Sequence, residues 1–174
     1  MKIEYDDLKK AYIAGLVDGE GCIHIQKRYD TRRGRCRNYY KLDVIISMKN
    51  RSGIDYVRSV YGGTLTTVVH GGQNIYKNRR YWRLVIGSTN ALKMLRELYP
   101  YLIVKKNTAE YAIAFQEHVE SNRRARWTKN YTIVEEQREL VYLKYRAAAE
   151  TERESGLPDR KIDATVHSTE MINP

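Results

Sequence analysis

The stretch Ile13-Ala14-Gly15-Leu16-Val17-Asp18-Gly19-Glu20-Gly21-Cys22, residues 13–22, sets two carboxylates among three glycines at the foot of an apolar helical run. Acids at a helix C-terminus oppose the macrodipole, whose carbonyl end is already negative. Directly after them, Cys22 to Arg28 alternates apolar and polar like a strand. A local rule broken this openly points to function.

Upstream, Asp6 or Asp7 is placed to cap a helix from about Leu8 to Asp18. Downstream, Tyr29 to Asn38 is a polar, arginine-rich connection. Tyr39 to Met48 alternates again, with Leu42, Val44 and Ile46 on one face and Tyr39, Lys41 and Asp43 on the other. These two strands read as a long hairpin. Ser52-Gly53 opens a second helix, Ile54 to Val60, closed by Gly62-Gly63. Thr64 to His70 and Tyr81 to Ile86 form a second strand pair around the turn Gly71-Gly72-Gln73-Asn74. Gly87-Ser88-Thr89 caps a helix carrying Leu92, Leu95 and Leu98 and stopped by Pro100. Two more helices follow, Lys105 to Val119 and Ile133 to Ala149. The order α-β-β-α-β-β-α-α-α predicts an α+β domain with an antiparallel sheet and helices on one face. Residues 1–150 read as a single domain and 151–174 as a loosely packed tail.

The 174 residues carry a net charge of +10 and a pI near 9.6. That excess speaks to partners, nucleic acid first and an anionic membrane second. No run is apolar enough to span a bilayer and Met1 to Tyr5 lacks a signal-peptide core, so the expectation is a soluble, intracellular protein without a membrane partner. Cys22 and Cys36 lack metal-finger spacing and read as free thiols.

Lys27, Arg28, Arg32, Arg33, Arg35, Arg37 and Lys41 crowd the first hairpin against one acid, Asp30, and Lys77, Arg79, Arg80 and Arg83 crowd the second. Strand spacing lines up His24, Gln26 and Arg28; Tyr39, Lys41 and Asp43; Thr66 and His70; and Arg79, Tyr81 and Arg83. Such rows on a two-stranded ribbon suit the edges of bases in a DNA major groove. Arg123, Arg124, Arg126 and Lys129 form a third basic cluster, either a phosphate grip or a solvated loop. Trp82 and Phe115 read as core.

On the first helix, Leu8, Ala11, Tyr12, Gly15 and Gly19 share one stripe. Small residues four apart let two helices approach closely. The stripe fits either packing within the chain or pairing with a second copy. In a pair, two Glu20 side chains meet near the two-fold axis, and hard oxygen donors of that kind suit Mg2+.

The segment Ile13 to Gly21 resembles the LAGLIDADG motif of homing endonucleases, and the αββαββα order with Tyr99-Pro100-Tyr101-Leu102-Ile103-Val104-Lys105-Lys106 is similar to that family's core. The resemblance covers roughly residues 5–120. It implies a homodimer that straddles a long pseudo-palindromic double-stranded DNA site, each four-stranded sheet in a major groove. It implies a Mg2+-dependent (or Mn2+-dependent) intron-encoded endonuclease that leaves short 3′ overhangs. Glu20 falls at the family's metal-binding acid, often aspartate, and the Gly19 carbonyl at a second ligand. Asp18 falls where the family supports the facing helix, and Lys105 at the lysine that orders the catalytic water. At the polar position ending the second strand, commonly glutamine, this chain has Ser47 or Met48, and Arg51 falls at the supporting basic position. The host compartment stays open between a prokaryotic cytoplasm and an organelle. The competing readings are a non-cleaving binder such as a splicing helper for intron RNA, and a basic structural RNA-binding protein that leaves Asp18 and Glu20 unexplained.

Overall fold

The computed structural model describes residues 5–30, 37–69, 80–122 and 131–155. Helix α1 (Tyr5–Glu20) runs without a loop into β1 (Gly21–Asp30), followed by β2 (Arg37–Met48), α2 (Arg51–Tyr61), β3 (Thr64–Val69), β4 (Arg80–Gly87), α3 (Ser88–Leu98), a 3-10 turn (Tyr99–Tyr101), α4 (Lys106–Ser121) and α5 (Tyr131–Ser155). The strands form one antiparallel sheet in the order β1-β2-β4-β3. The expected α+β architecture is present.

The core lies between the sheet and the helices. Ile23 and Ile25 of β1, Leu42, Val44 and Ile46 of β2, and Leu84 and Ile86 of β4 are buried against Ile13, Ala14 and Val17 of α1, Ile54 and Val57 of α2, Leu95 and Leu98 of α3, and Ala112 and Phe115 of α4. Because strand side chains alternate, every second residue stands on the opposite, open face. Trp82 points to the helix side.

Several boundaries differ from the periodicity reading, each for a local reason. Asp6 and Asp7 lie inside the first turn of α1 and do not cap it. Asp6 pairs with Lys10 at 2.6 Å, and Asp7 accepts a 2.6 Å bond from the Tyr101 hydroxyl. The cap of α2 is Asn50, whose side chain accepts from Ser52 N at 2.8 Å. Gly62 and Gly63 do close α2, at φ of +72° and +108°. Helix α5 runs on to Ser155, since Tyr142, Tyr145 and Ala148 extend one buried stripe to Glu152, which accepts from Thr108 N at 2.7 Å. Lys27, counted with the basic run, turns to the helix side of the sheet. It pairs with Glu139 at 2.7 Å and lies over the Tyr40 and Tyr142 rings.

The outer edge of β1 is sealed by one hydroxyl. Tyr145 donates to Ile23 O at 2.9 Å and accepts from Ile25 N at 3.3 Å. Burial pushes its phenol upward, so it stays protonated in both roles. Tyr145→Phe leaves a buried N–H and C=O without that partner. The expected cost is about 1–3 kcal/mol, seen as a melting temperature lower by roughly 3–10 °C in a calorimetric scan.

Candidate nucleic-acid interface and metal site

The motif ends α1 and begins β1 with no residue between. A Cβ on Gly21 would meet Val17 O at 2.6 Å and Val17 Cα at 2.8 Å, so only glycine permits this direct helix-to-strand passage. Gly15 and Gly19 differ: a Cβ on either meets nothing within 4 Å. Leu8, Ala11, Tyr12, Gly15 and Gly19 are all exposed, with Leu8 at 55% and Tyr12 at 53%. The stripe therefore faces away from the chain's own core, with Tyr12 packing within the chain only edge-on to Tyr56 of α2, at 5.9 Å among the described residues. Ile13, Ala14 and Val17 supply the core contact from the other side of α1.

The two acids have separate fates. Asp18 accepts bonds from the backbone N–H groups of Ile103, Val104 and Lys105 at 2.8, 3.2 and 2.9 Å. The Lys105 ammonium donates back to the Asp18 carbonyl. A carboxylate misplaced for α1 is thus well placed for α4, where it sits at the positive end of the macrodipole. Asp18, expected to support a facing helix, holds the start of α4 within its own chain. Glu20 is exposed and, among the described residues, has no hydrogen-bond or ion-pair partner.

The same end of the sheet gathers the other candidates. The β1–β2 ladder closes at Gly21 opposite Ile46, so Glu20 and Ser47 stand at the two chain positions just beyond it. Ser47 lies on the open face beside Arg83, whereas Met48 packs toward the core. Arg51, at the start of α2, pairs with Asp55 at 2.9 Å and stacks on Trp82 at 4.6 Å. Its charge is therefore already partnered. Lys106 is turned aside over the Tyr99 ring, leaving Lys105 as the lysine at the motif.

Among the described residues no three histidine, cysteine or acidic side chains cluster. A metal site in a single chain would rest on the Glu20 carboxylate and free helix-end carbonyls such as that of Gly19. Those are hard oxygen donors of the kind that fit a divalent cation such as Mg2+, with the Lys105 ammonium at the neighbouring Asp18 carbonyl.

On the open face, His24, Gln26, Arg28, Tyr39, Lys41, Thr66, Tyr81 and Arg83 share one side by strand alternation and register. Asp43 shares that side but is only 6% exposed. Its carboxylate holds Lys41 at 2.7 Å and fills the slot left by Gly87, where a Cβ would meet Asp43 Oδ1 at 2.7 Å. Asp43 therefore orients Lys41 and is corrected from a free base-reading acid. Arg37 opens β2. Arg32, Arg33, Arg35, His70 and Arg79 lie outside the described residues, as do Cys36 and the cluster Arg123, Arg124, Arg126 and Lys129.

Two features escaped the sequence reading. Ile103 and Val104, 85% and 60% exposed, stand beside the motif because Asp18 holds their amides. Glu152 and Arg153 of α5 line a cleft of about 340 Å³ with Gly21, Cys22 and Lys105. The stripe Tyr142, Tyr145, Ala148, Glu152 was a visible signal for the second.

Similar solved structures share this architecture. An archaeal intron-encoded homing endonuclease complexed with DNA has a TM-score of 0.60 at 16% identity, over 88% of this chain and 89% of that one. The homing endonuclease I-CvuI, in complex with DNA in the presence of Mg, has a TM-score of 0.54 at 17% identity, over 86% and 97%. The LAGLIDADG homing endonuclease I-GzeII, in complex with its DNA target, has a TM-score of 0.51 at 13% identity, over 72% and 40%. The fold is the LAGLIDADG homing endonuclease fold. No family model matches the chain, and no curated protein matches it. Within the LAGLIDADG fold, the motif helix is α1 and the open sheet face is built by β1–β4.

The glycines separate by experiment. Gly21→Ala is expected to destabilise the fold by about 1–3 kcal/mol through backbone overlap. Gly15→Ala and Gly19→Ala should leave the single chain unchanged or more stable by up to about 1 kcal/mol through helix propensity. Urea unfolding under dilute conditions checks both signs.

Proposed function

We propose that this chain is a site-specific, metal-dependent DNA endonuclease of the intron-homing type, acting as a homodimer on a long, nearly palindromic duplex. The observation that carries the reading is Glu20: an exposed carboxylate without a partner among the described residues, at the end of an outward-facing helix stripe, two positions beyond the Asp18 carbonyl that holds Lys105 and at the end of an open polar sheet face. Pairing of two α1 stripes about a two-fold axis brings both Glu20 side chains to that axis. The similar structures support it in kind, since I-CvuI is bound to DNA in Mg and in Ca conditions.

Each part of the chain then has a task. Glu20 and the Gly19 carbonyl would hold the cation. A divalent cation bound there would supply Lewis-acid chemistry, making water more acidic and offsetting charge on a phosphodiester. Lys105, tethered at the Asp18 carbonyl, keeps an ammonium beside the same place and attracts the scissile phosphate. Ser47, too short to reach far, works through water. Arg28, Lys41 and Arg83 bind and orient the duplex from the major groove, and cleavage across the minor groove leaves short 3′ overhangs.

A non-cleaving binder of intron RNA is the second reading. It is favoured by Ser47 in place of a longer polar side chain and by Arg51 being committed to Asp55 and Trp82. The deciding experiment incubates the full chain with a randomised near-palindromic duplex library under Mg2+, Ca2+ or chelator. Wild type with Mg2+ is expected to yield sequence-specific double-strand ends. Glu20→Gln should lower cleavage by at least about a hundredfold, since even groups that only orient a metal ligand are worth 10–100-fold, while duplex binding stays nearly unchanged. Cutting by Glu20→Gln at the wild-type rate refutes the mechanism, and selective binding without cutting moves the conclusion to the second reading.

Duplex affinity should also fall with salt at a log–log slope of about −4 or steeper, as several phosphate contacts per dimer release counterions. A titration between low and physiological salt measures it, and a flat response contradicts a groove-seated sheet.

A further inference from the structure

We infer that the midline of the open sheet face is a binding site for the 5-methyl group of a thymine, which makes Ile45 and Val85 specificity-determining residues. The inference rests on the duplex-DNA reading above. Cys22 stands opposite Ile45, Ile45 opposite Val85, and Val85 opposite Thr64. On the open face this row crosses all four strands, and it carries no charge. Ile45 and Val85 are half-buried, and Cys22 and Thr64 are exposed.

Its neighbours are of the opposite character. One row away stand His24, Asp43 and Gly87, with Gln26 and Lys41 beyond them. On the other side stand Ser47, Arg83 and Thr66, with Tyr81 and Val68 beyond. At the centre of the row Ile45 and Val85 make an apolar spot between two polar fields, on the side away from the buried core, while Cys22 at the end of the row also lines the cleft beside α5. Cross-strand packing explains β-branched residues here, but it does not explain why the spot sits in the middle of a face otherwise suited to hydrogen bonding.

The major groove supplies a matching surface. Of the four bases thymine alone presents a methyl group there, and apolar side chains recognise it. Rows on one face recur at about 6.8 Å, two residues of strand rise, and base pairs recur at about 3.4 Å. Neighbouring rows therefore address positions about two base pairs apart. The expected half-site has a thymine, on either strand, at its middle, flanked on both sides by positions read through polar groups.

The test uses the full chain and a labelled duplex recovered by its own binding from a randomised near-palindromic pool, in Ca2+. Each thymine is replaced singly by deoxyuridine, which keeps the base pair and removes only the methyl. One position per half-site is expected to weaken wild-type binding about fourfold. Ile45→Ser removes the side-chain methyl groups and is expected to bind the thymine and deoxyuridine duplexes equally; Val85→Ser serves as the second variant should the first fail to fold. If the chain binds selectively but no thymine position responds, or if both variants keep the full wild-type response, the inference is wrong. Failure to select any duplex refutes the endonuclease reading and the inference together, an outcome distinct from selection without a methyl response.

Discussion

One carboxylate serves two helices, and the candidate site depends on it. Asp18 ends α1 and also gathers the three amides of residues 103–105 that lead into α4. Charge-assisted bonds to backbone amides are among the stronger polar contacts in proteins. Through them a helix at the start of the chain is tied to a segment more than eighty residues later. Lys105 is carried to the motif by that tie, and its ammonium closes the loop on the Asp18 carbonyl. Glu152 holds the first turn of α4 from the other side through Thr108. The lysine is thus set by two acids that hold the backbone on either side of it.

Once α1 is fixed at its foot, its two apolar sides point in opposite directions. Ile13, Ala14 and Val17 enter the core, and Leu8, Tyr12 and the two glycines remain outside. A helix apolar on both sides is normally covered on both. The chain covers only one. Among the described residues nothing packs over Gly15 and Gly19, so that side of α1 is left open, which is the surface the proposed pairing of two copies uses.

The features legible in the sequence were those set by short-range periodicity. Alternation in residues 22–28 and 39–48 gave the hairpin and its faces, and the glycine pair at 62–63 gave the stop of α2. Lys27 was grouped with the arginines by its charge, although its strand position in step with Ile23 and Ile25 puts it on the apolar side. The rest was settled by contacts between distant positions. Asp43 is buried because Gly87, on another strand, leaves it a slot. The partner of Asp18 lies beyond any local window. The outward direction of the α1 stripe depends on which side the sheet takes. Ser47 and Met48 could not be told apart until the strand register was known.

The direct passage from Glu20 into Gly21 makes the molecule a lever. The acid sits on one arm and the open sheet face on the other, with no residue between helix and strand and the Val17 backbone packed close against Gly21. Under the endonuclease proposed above, a sheet seated squarely on its target would aim the acid and a sheet tilted by a poor fit would swing it off line. Discrimination would then act twice, once in holding the duplex and again in the geometry of attack, and a wrong site that is held could still be spared.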